Sequence, residues 1–511
     1  MPSRWRWSVL LFLALAAPLG AQVIYVDADA PGANDGTSWE NAYHDLQSAL
    51  DVAGEGMTVK VANGTYLPSK LLFKDKPLSF SFRIPDGVNL QGGFVGSGFA
   101  DPDERVLSPS ATILSGDRGI PGDKSDNCWT VVSALNTADN TTLDGFTVRD
   151  GNNPFSLTDG AGMQVMDGSA VIRNCWFTDN RADWGGGGIY FDGIALTLQS
   201  CNFTQNSVPQ YGGGGGLYAN GIASVFDCEF SSNGANFGGA IAASGLLNVE
   251  RTRFTGGFAM QVGGAIQCTG SAVLKGCTFS QCGAGGNAGP GPGGASGNGG
   301  ALNVGGTLQA EACDFEECVA WGFAFYYSFP AEGGAVWCGG PSASFTRCRF
   351  LRNEAHGSTS TGARGGALYL DTANALLERC ELIENIGHTG FYFGTPSRGG
   401  AIYSKDSTLT LVRCRLLDNE AESITTFPET MGEGGGIYGN CVVQDSVLWG
   451  NVADPLAIEA SQLTGGTAVV NFSVIEGWTG MLGGRGNSGM LPGGLLPDGA
   501  EARKHAESRG Q

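Results

Sequence analysis

Apolar and polar positions alternate over short segments that recur down most of the chain. In each recurrence a Cys and a Phe two residues later are apolar, as in Cys175 and Phe177, while polar residues such as Asn174 and Thr178 flank them. Alternation with a period of two is typical of a strand with one buried and one wet face. Gly stands at fixed places inside every unit and no unit carries an apolar stripe of helical period. The pattern predicts short strands joined by tight turns.

The segments belong to an internal repeat, C-x-F-x-x-N followed by G-G-[AG]-[ILV]. Successive Cys positions lie 24 to 27 residues apart over the first few repeats and more than 30 apart later, and the difference falls between the Asn and the next Gly-Gly. Ten copies are visible. The Cys positions and their substitutes are Cys175, Cys201, Cys228, Thr252, Cys277, Cys313, Cys348, Cys380, Cys414 and Ser446.

A unit of this size cannot bury its apolar face alone, but stacked units form a continuous core with strands about 4.8 Å apart. We therefore expect an all-β fold, a parallel β-helix in which Cys stacks on Cys and Phe on Phe. The Asn column fits left-handed turn positions and bonds between coils. The Gly-Gly column marks a turn that is too crowded or too strained for a Cβ.

The F-x-x-N and G-G-A-[ILV] pair resembles the repeat of the polymorphic outer-membrane proteins, over roughly residues 140–455. The coil is similar to that of the pectin-lyase-like superfamily. The resemblance implies a right-handed, single-stranded solenoid of about 12 to 13 coils. It leaves function open, because the same coil serves adhesins, autotransporter passengers, polysaccharide lyases and glycosidases.

The chain divides into four segments. Residues 1–21 read as a secretory signal peptide, with Arg4 and Arg6 before a short apolar stretch, and the remainder has no transmembrane segment. Residues 22–140 are expected to hold the first coils and a capping helix, on which Tyr43, Leu46, Leu50 and Ala53 share one face. Residues 141–478 carry the repeats, and residues 479–511 are predicted to be a disordered tail.

The formal net charge of −20 argues against a nucleic-acid partner. Most of the 14 cysteines follow the repeat, so we expect buried thiols rather than a disulfide framework or a metal site. Cys282 and Cys318 replace Asn in adjacent coils and could form one disulfide. No cofactor is predicted; Asp27, Asp29, Asn34 and Asp35 could hold Ca²⁺, but they fit no EF-hand spacing and turn chemistry explains them better.

Long insertions after the Asn position begin near residue 283 and should lie on one side of successive coils. They hold an aromatic group that either stacks on sugar rings or packs on itself as a satellite core. Its candidate ligand-binding members are Trp321, Phe325, Tyr326, Tyr327, Phe391 and Tyr392.

Two further features could act on an anionic glycan. Arg347, Arg379 and Arg413 precede the Cys in consecutive coils, and either an anionic ligand or the neighbouring Glu378 and Glu381 would balance their charge. His356 and His388 lie in the long-loop region. They are the only candidates for a general base, and solvated loop histidines are the alternative.

These features predict a secreted or cell-surface protein, the periplasm and outer membrane included, that acts in adhesion or binds a polysaccharide without catalysis. The alternative is a carbohydrate-active enzyme, a polysaccharide lyase or a glycoside hydrolase. An enzyme should bring two titratable groups together in a groove between the long loops, whereas a binding protein should show an aromatic or polar surface without them. The sequence names neither the ligand nor the oligomeric state.

Overall fold

A computed structural model describes residues 22–137, 140–154, 160–285, 297–322, 330–357, 361–371, 374–389, 395–423, 432–453 and 458–490. Nearly all strands pair in parallel and in register with the equivalent strand of the next coil, in three long sheets that we call sheets A, B and C. This confirms the all-β class and the parallel β-helix. Sheet B has 14 strands, close to the 12 to 13 coils predicted.

Sheet A contains two ladders, which fuse where single long strands run through both. The ladder after the Gly-Gly turn contains Phe82–Ile84, Val132–Leu135, Met163–Met166, Ile241–Ala243, Ile266–Cys268, Leu302–Val304, Val336–Cys338, Leu368–Asp371 and Leu463–Thr464. The following ladder contains Val23–Val26, Thr58–Ala62, Asn89–Phe94, Thr142–Asp144, Ser169–Arg173, Leu246–Glu250, Ser271–Lys275, Leu308–Glu311, Ser342–Thr346, Asn374–Glu378 and Ala468–Asn471. The strands in both are Ile189–Gln199, Leu217–Phe226, Ile402–Val412 and Ile437–Gln444.

Sheets B and C complete each coil. Sheet B contains Gly64–Tyr66, Thr112–Ser115, Thr147–Arg149, Trp176–Thr178, Asn202–Thr204, Glu229–Ser231, Arg253–Thr255, Thr278–Ser280, Asp314–Glu316, Arg349–Leu351, Glu381–Ile383, Arg415–Leu417, Val447–Trp449 and Val474–Ile475. Sheet C contains Asn152–Asn153, Arg181–Ala182, Ser207–Gly213, Gly234–Phe237, Phe258–Val262, Gly283–Gly285, Val319–Trp321, Glu354–Gly357, Ile386–Thr389, Glu420–Ser423 and Val452–Ala453. A two-stranded ladder pairs Ala331–Glu332 with Ala363–Arg364.

The Cys and Phe columns form the interior as predicted. Neighbouring Phe rings stack nearly parallel, as between Phe254 and Phe279 with ring centroids 4.8 Å apart. Each ladder thiol is buried and several donate to a carbonyl of the preceding coil, as Cys380 does to Phe345 at 3.3 Å. Shape and spacing repeat in every coil, so the core is continuous from end to end.

The Asn column bonds the coils along the solenoid. Nδ2 of Asn385 donates to Oδ1 of Asn419 at 2.9 Å and to the Phe350 carbonyl at 3.0 Å, and its own Oδ1 accepts from Asn353. The predicted left-handed backbone does not fall on Asn. It falls on the residue before, such as Glu384 with φ 54°. The Asn side chain points into the coil, where it hydrogen-bonds buried backbone groups.

The Gly-Gly turn is both strained and crowded, as predicted. Gly333 has φ +69°, and a Cβ on Gly334 would lie 2.0 Å from the Gly366 carbonyl oxygen of the next coil. Only Gly allows this approach between coils.

The first coil is capped by helix α1, Leu46–Val52, beginning at the N-cap residue Asp45. The predicted helix is therefore present, although Tyr43 precedes it and pairs with Val26. Oε1 of Gln47 accepts from the backbone N–H of Arg83 at 3.0 Å, which satisfies a donor at the start of one ladder of sheet A.

Helix α2, Ile458–Gln462, lies beside the last coil. Residues 479–490, which the sequence assigned to the disordered tail, are ordered against that coil: Val474 pairs with Ser488, and Phe472 donates to the Arg485 carbonyl at 2.8 Å. Backbone bonds make part of this contact, and Leu482 packs against the core. Residues 1–21 and 491–511 lie outside the described residues, among which no helix is long and apolar enough to cross a membrane.

Candidate binding site

Four side chains form one column on the outer face of sheet C. Trp321, His356, His388 and Glu422 pair in register across four successive coils, and we call them the Trp–His column. The imidazole rings of the two histidines have centroids 5.4 Å apart. All four side chains are at least partly exposed. The parallel register thus places an indole, two imidazoles and a carboxylate on a single line.

Each histidine is hydrogen-bonded to a carboxylate. Nε2 of His356 lies 2.7 Å from Oε2 of Glu354, and Nδ1 of His388 lies 2.9 Å from Oε2 of Glu422. The bond to Glu422 raises the pKa of His388 above its ordinary value, partial burial opposes it, and the charges of Glu354 and Glu420 add to the rise. The carboxylates thus fix the orientation of both rings, and Glu422 favours the charged form of His388.

Trp321 lies over a gap in the wall of sheet C. A Cβ on Gly283 would be 2.5 Å from Cζ3 of Trp321. The indole therefore occupies the space that a side chain at position 283 would need. The exposed Phe258 is the next aromatic ring upstream on this face. The other predicted aromatic residues, Phe325, Tyr326, Tyr327, Phe391 and Tyr392, lie outside the described residues.

The Arg stripe, Arg347, Arg379 and Arg413, lies at the corner between sheets A and B. Each has a left-handed backbone, with φ of 54° to 55°, and each side chain points to solvent from a turn. Arg347 pairs with Glu311, and Nε of Arg379 lies 3.8 Å from Glu378.

The two acidic residues proposed to balance the stripe act differently. Glu378 does pair with Arg379, whereas Glu381 pairs with Arg415 at 2.9 Å, in the neighbouring column where charges alternate. Exposed pairs of this kind stabilise a fold by less than about 1 kcal/mol. Sheet B separates the stripe from the Trp–His column, so the structure does not bring these two candidate regions together.

The cysteines show no bridge. All 14 are buried free thiols, Cys282 and Cys318 included, so the disulfide considered for that pair is not formed. The two thiols are neighbours, and the hydrogen bond from Cys318 lowers the pKa of Cys282.

The option of a Ca²⁺ site gains no support. Asp27 and Asp35 accept from backbone N–H groups two residues on, which is turn chemistry. Over the part of the chain that the structure describes, no cluster of His, Cys, Asp or Glu could hold a metal ion.

Comparison with known proteins agrees with the fold. Residues 135–474 match the right-handed β-helix region family, and the chain belongs to it. Membership settles the right-handed coil; the finer resemblance to the polymorphic outer-membrane protein repeat stays a prediction. Residues 29–213 also match a family of unknown function, DUF1565.

No curated protein matches the chain. Among solved structures it is similar to PfbA, a surface adhesin of Streptococcus pneumoniae, with 10% identity over 89% of this chain and 92% of that chain. The TM-score is 0.23, so this likeness supports no conclusion about function.

Sequence reasoning found the two histidines and missed their partners Glu354 and Glu422. A signal was available, because His356, His388 and Glu422 each stand three residues after an Asn of the repeat and Trp321 stands three after Cys318. Counting from the Asn position would have placed all four in one column.

Proposed function

We propose that this protein is an exported, secreted or cell-surface β-helix protein that binds a glycan through the Trp–His column, without catalysis. The observation that carries the proposal is the in-register line of Trp321, His356, His388 and Glu422 on one outer face. The predicted signal peptide and the acidic surface fit an exported protein.

The chemistry of the column suits a sugar chain. A partly exposed indole offers an apolar face to a pyranose ring, while imidazole and carboxylate groups exchange hydrogen bonds with hydroxyl groups. The column repeats at about 4.8 Å per coil, so it presents similar groups at regular steps to a ligand that is itself a repeating polymer.

Binding of the full chain to immobilised neutral and acidic polysaccharides, followed by biolayer interferometry, tests the proposal. We expect at least one polysaccharide to bind, and Trp321→Ala and His388→Ala each to weaken its affinity by about tenfold. Leu376→Ala is the matched control, because this side chain is 42% exposed and lies on sheet A, away from the column. Equal affinity in all four proteins would refute the role of the column.

A second candidate, a carbohydrate-active enzyme, is favoured by the hydrogen-bonded His–Glu pairs. A carboxylate only accepts, so Nδ1–H of His388 donates to Glu422 and leaves Nε2 as the atom that could accept a proton from a substrate. In the same way, Nε2–H of His356 donates to Glu354, and Nδ1 is the atom that could accept a proton. Two oriented imidazoles on one face could serve β-elimination on a uronate chain.

Assays for unsaturated-uronate absorbance and for new reducing ends, on the polysaccharides that bind, separate the two functions. The binding proposal expects neither product. Turnover that is abolished in His388→Ala, while binding persists, would make the protein a lyase or a hydrolase instead.

A further inference from the structure

A second aromatic feature lies on the same side of the solenoid, several coils nearer the N-terminus. Trp184 follows the sheet C strand Arg181–Ala182, and Tyr211 lies in the strand Ser207–Gly213 of the next coil. Their ring centroids are 5.4 Å apart and the ring planes are inclined by 36°. Their exposed fractions are 49% and 62%, so these rings keep much of their surface free. The stacked Phe rings of the core, by contrast, cover one another.

The backbone holds the pair in place. The Tyr211 N–H donates to the Asp183 carbonyl at 3.2 Å, and Gly185 pairs with Gly213. A Cβ on Gly212 would lie 1.4 Å from the Trp184 carbonyl oxygen, so only Gly permits this approach of the two segments. The rings are therefore fixed relative to each other before any ligand arrives, which reduces the entropic cost of binding.

One polar group in the segment that carries Trp184 is incompletely satisfied. Oδ1 of Asp183 is buried and has no hydrogen-bond partner among the described residues; the closest charged atom is Nη2 of Arg181, at 3.7 Å. The Asp183 side chain is only 10% exposed. A buried acceptor without a donor costs free energy, which a ligand hydroxyl would recover.

From this arrangement we infer that Trp184 and Tyr211 form a second glycan subsite, which stacks on a pyranose ring of a neutral polysaccharide, with Asp183 accepting from a ring hydroxyl. A sugar ring has both an apolar face and a hydroxyl rim, which is the combination that this site offers. The net charge of −20 disfavours an acidic chain, and Arg181 beside Asp183 leaves no local excess of positive charge. A protein partner would need about 800 Å² of surface, far more than two rings.

The subsite rests on the proposed function and extends it. Five strand-to-strand steps lead from Arg181 to Val319 along sheet C, so the coil of Trp184 lies roughly 24 Å from that of Trp321 along the solenoid axis at the usual strand spacing. A single polymer lying parallel to the solenoid axis would contact both. The two sites then act as linked binding modules, and a polysaccharide long enough to reach both binds with a higher affinity than either site gives alone.

Affinities of the full-length protein for soluble xylan, glucomannan and mixed-linkage β-glucan, with polygalacturonate as the acidic comparison, test the inference. Trp184→Ala and Tyr211→Ala should each weaken binding of a neutral polysaccharide by about tenfold, while Tyr211→Phe retains the ring and the binding. Ile194→Ala is the matched control, since this apolar side chain is similarly exposed, at 68%, and lies in sheet A rather than sheet C.

The outcomes distinguish the two proposals. Loss of binding in the Trp184 and Tyr211 variants with the control intact supports the subsite. Neutral polysaccharide binding that survives Trp184→Ala and Tyr211→Ala but not Trp321→Ala overturns the subsite and leaves the proposed function standing. Preference for polygalacturonate, or absence of any polysaccharide binding, overturns the subsite as well, and the second of these results also removes the proposed function.

Discussion

Nδ1 of His388 lies 2.9 Å from Oε2 of Glu422, one coil further along the same face of sheet C. The pairing raises the pKa of His388, and Glu422 contributes more to the rise than the more distant carboxylates do. It links adjacent coils on the surface, as the Asn column links them inside.

The His388–Glu422 pair predicts a pH-dependent contribution to stability. The pKa of His388 is higher in the folded chain than in the unfolded chain, where it is about 6.5. The pair therefore stabilises the fold fully below that unfolded pKa, and the effect is lost as pH rises through the folded pKa. We expect Glu422→Gln to lower the urea midpoint at pH 5.5 and to change it little at pH 9. In NMR titrations, Glu422→Gln should lower the pKa of His388 more than Glu354→Gln does; the reverse order would contradict the assignment of the main partner.

The Asn column predicts a large cost for losing one amide. Asn385→Ala removes the two bonds that Nδ2 donates and the two that Oδ1 accepts, so the Phe350 carbonyl and the backbone N–H and Nδ2 of Asn353 each lose a partner in the interior. We expect a loss of about 2 to 4 kcal/mol in the free energy of unfolding, measured by chemical denaturation. Asn374→Ala, on an exposed strand position, is the control and should lie within about 0.5 kcal/mol of wild type. Comparable stability of the two variants would show that the column is dispensable.

The Gly-Gly turn predicts that one added methyl group disrupts the stack. In Gly334→Ala the Cβ would meet the Gly366 carbonyl oxygen at 2.0 Å, and backbone cannot move aside without separating two coils. We expect a loss on the order of 3 kcal/mol, or failure to express as folded protein. Gly54→Ala has open space around its Cβ and is the control. Circular dichroism and thermal unfolding measure both, and a native-like melting temperature for Gly334→Ala would contradict the crowding argument.

The buried thiols predict a clear labelling result. Burial raises the pKa of Cys128 and of Cys441 to about 12, so their thiolates are scarce at neutral pH. We expect no modification by iodoacetamide in the native protein and 14 modified cysteines after unfolding without reductant, counted by mass spectrometry. Two fewer labels, located at Cys282 and Cys318, would show that this pair is oxidised in the protein.

The repeat motif carried most of the fold, because Cys, Phe, Asn and Gly at fixed spacing each have one physical role in every coil. The motif did not show where around the circumference of the coil each residue lies. Arg347 and Trp321 both stand near repeat landmarks, yet Arg347 lies at the corner between sheets A and B, whereas Trp321 lies in sheet C, beyond sheet B. Likewise, Asn itself was expected at the left-handed position, since the sequence does not show whether a turn residue or its neighbour adopts it. Glu422 was missed because pairing between coils joins it to His388, more than thirty positions away in the sequence. Glu354 stands only two residues before His356, and alternation along a strand places both on one face.

The elastic segment between sheet C and the Gly-Gly turn separates the length of the chain from the length of the molecule. Every coil of the repeat lengthens the solenoid by one strand spacing, about 4.8 Å, whether the coil contains 24 residues or 36. Insertions at this corner can therefore accumulate without altering the register of any sheet. One side of the protein is free to diversify in sequence while the distance between its ends, and the spacing of every group displayed on the other sides, stays constant.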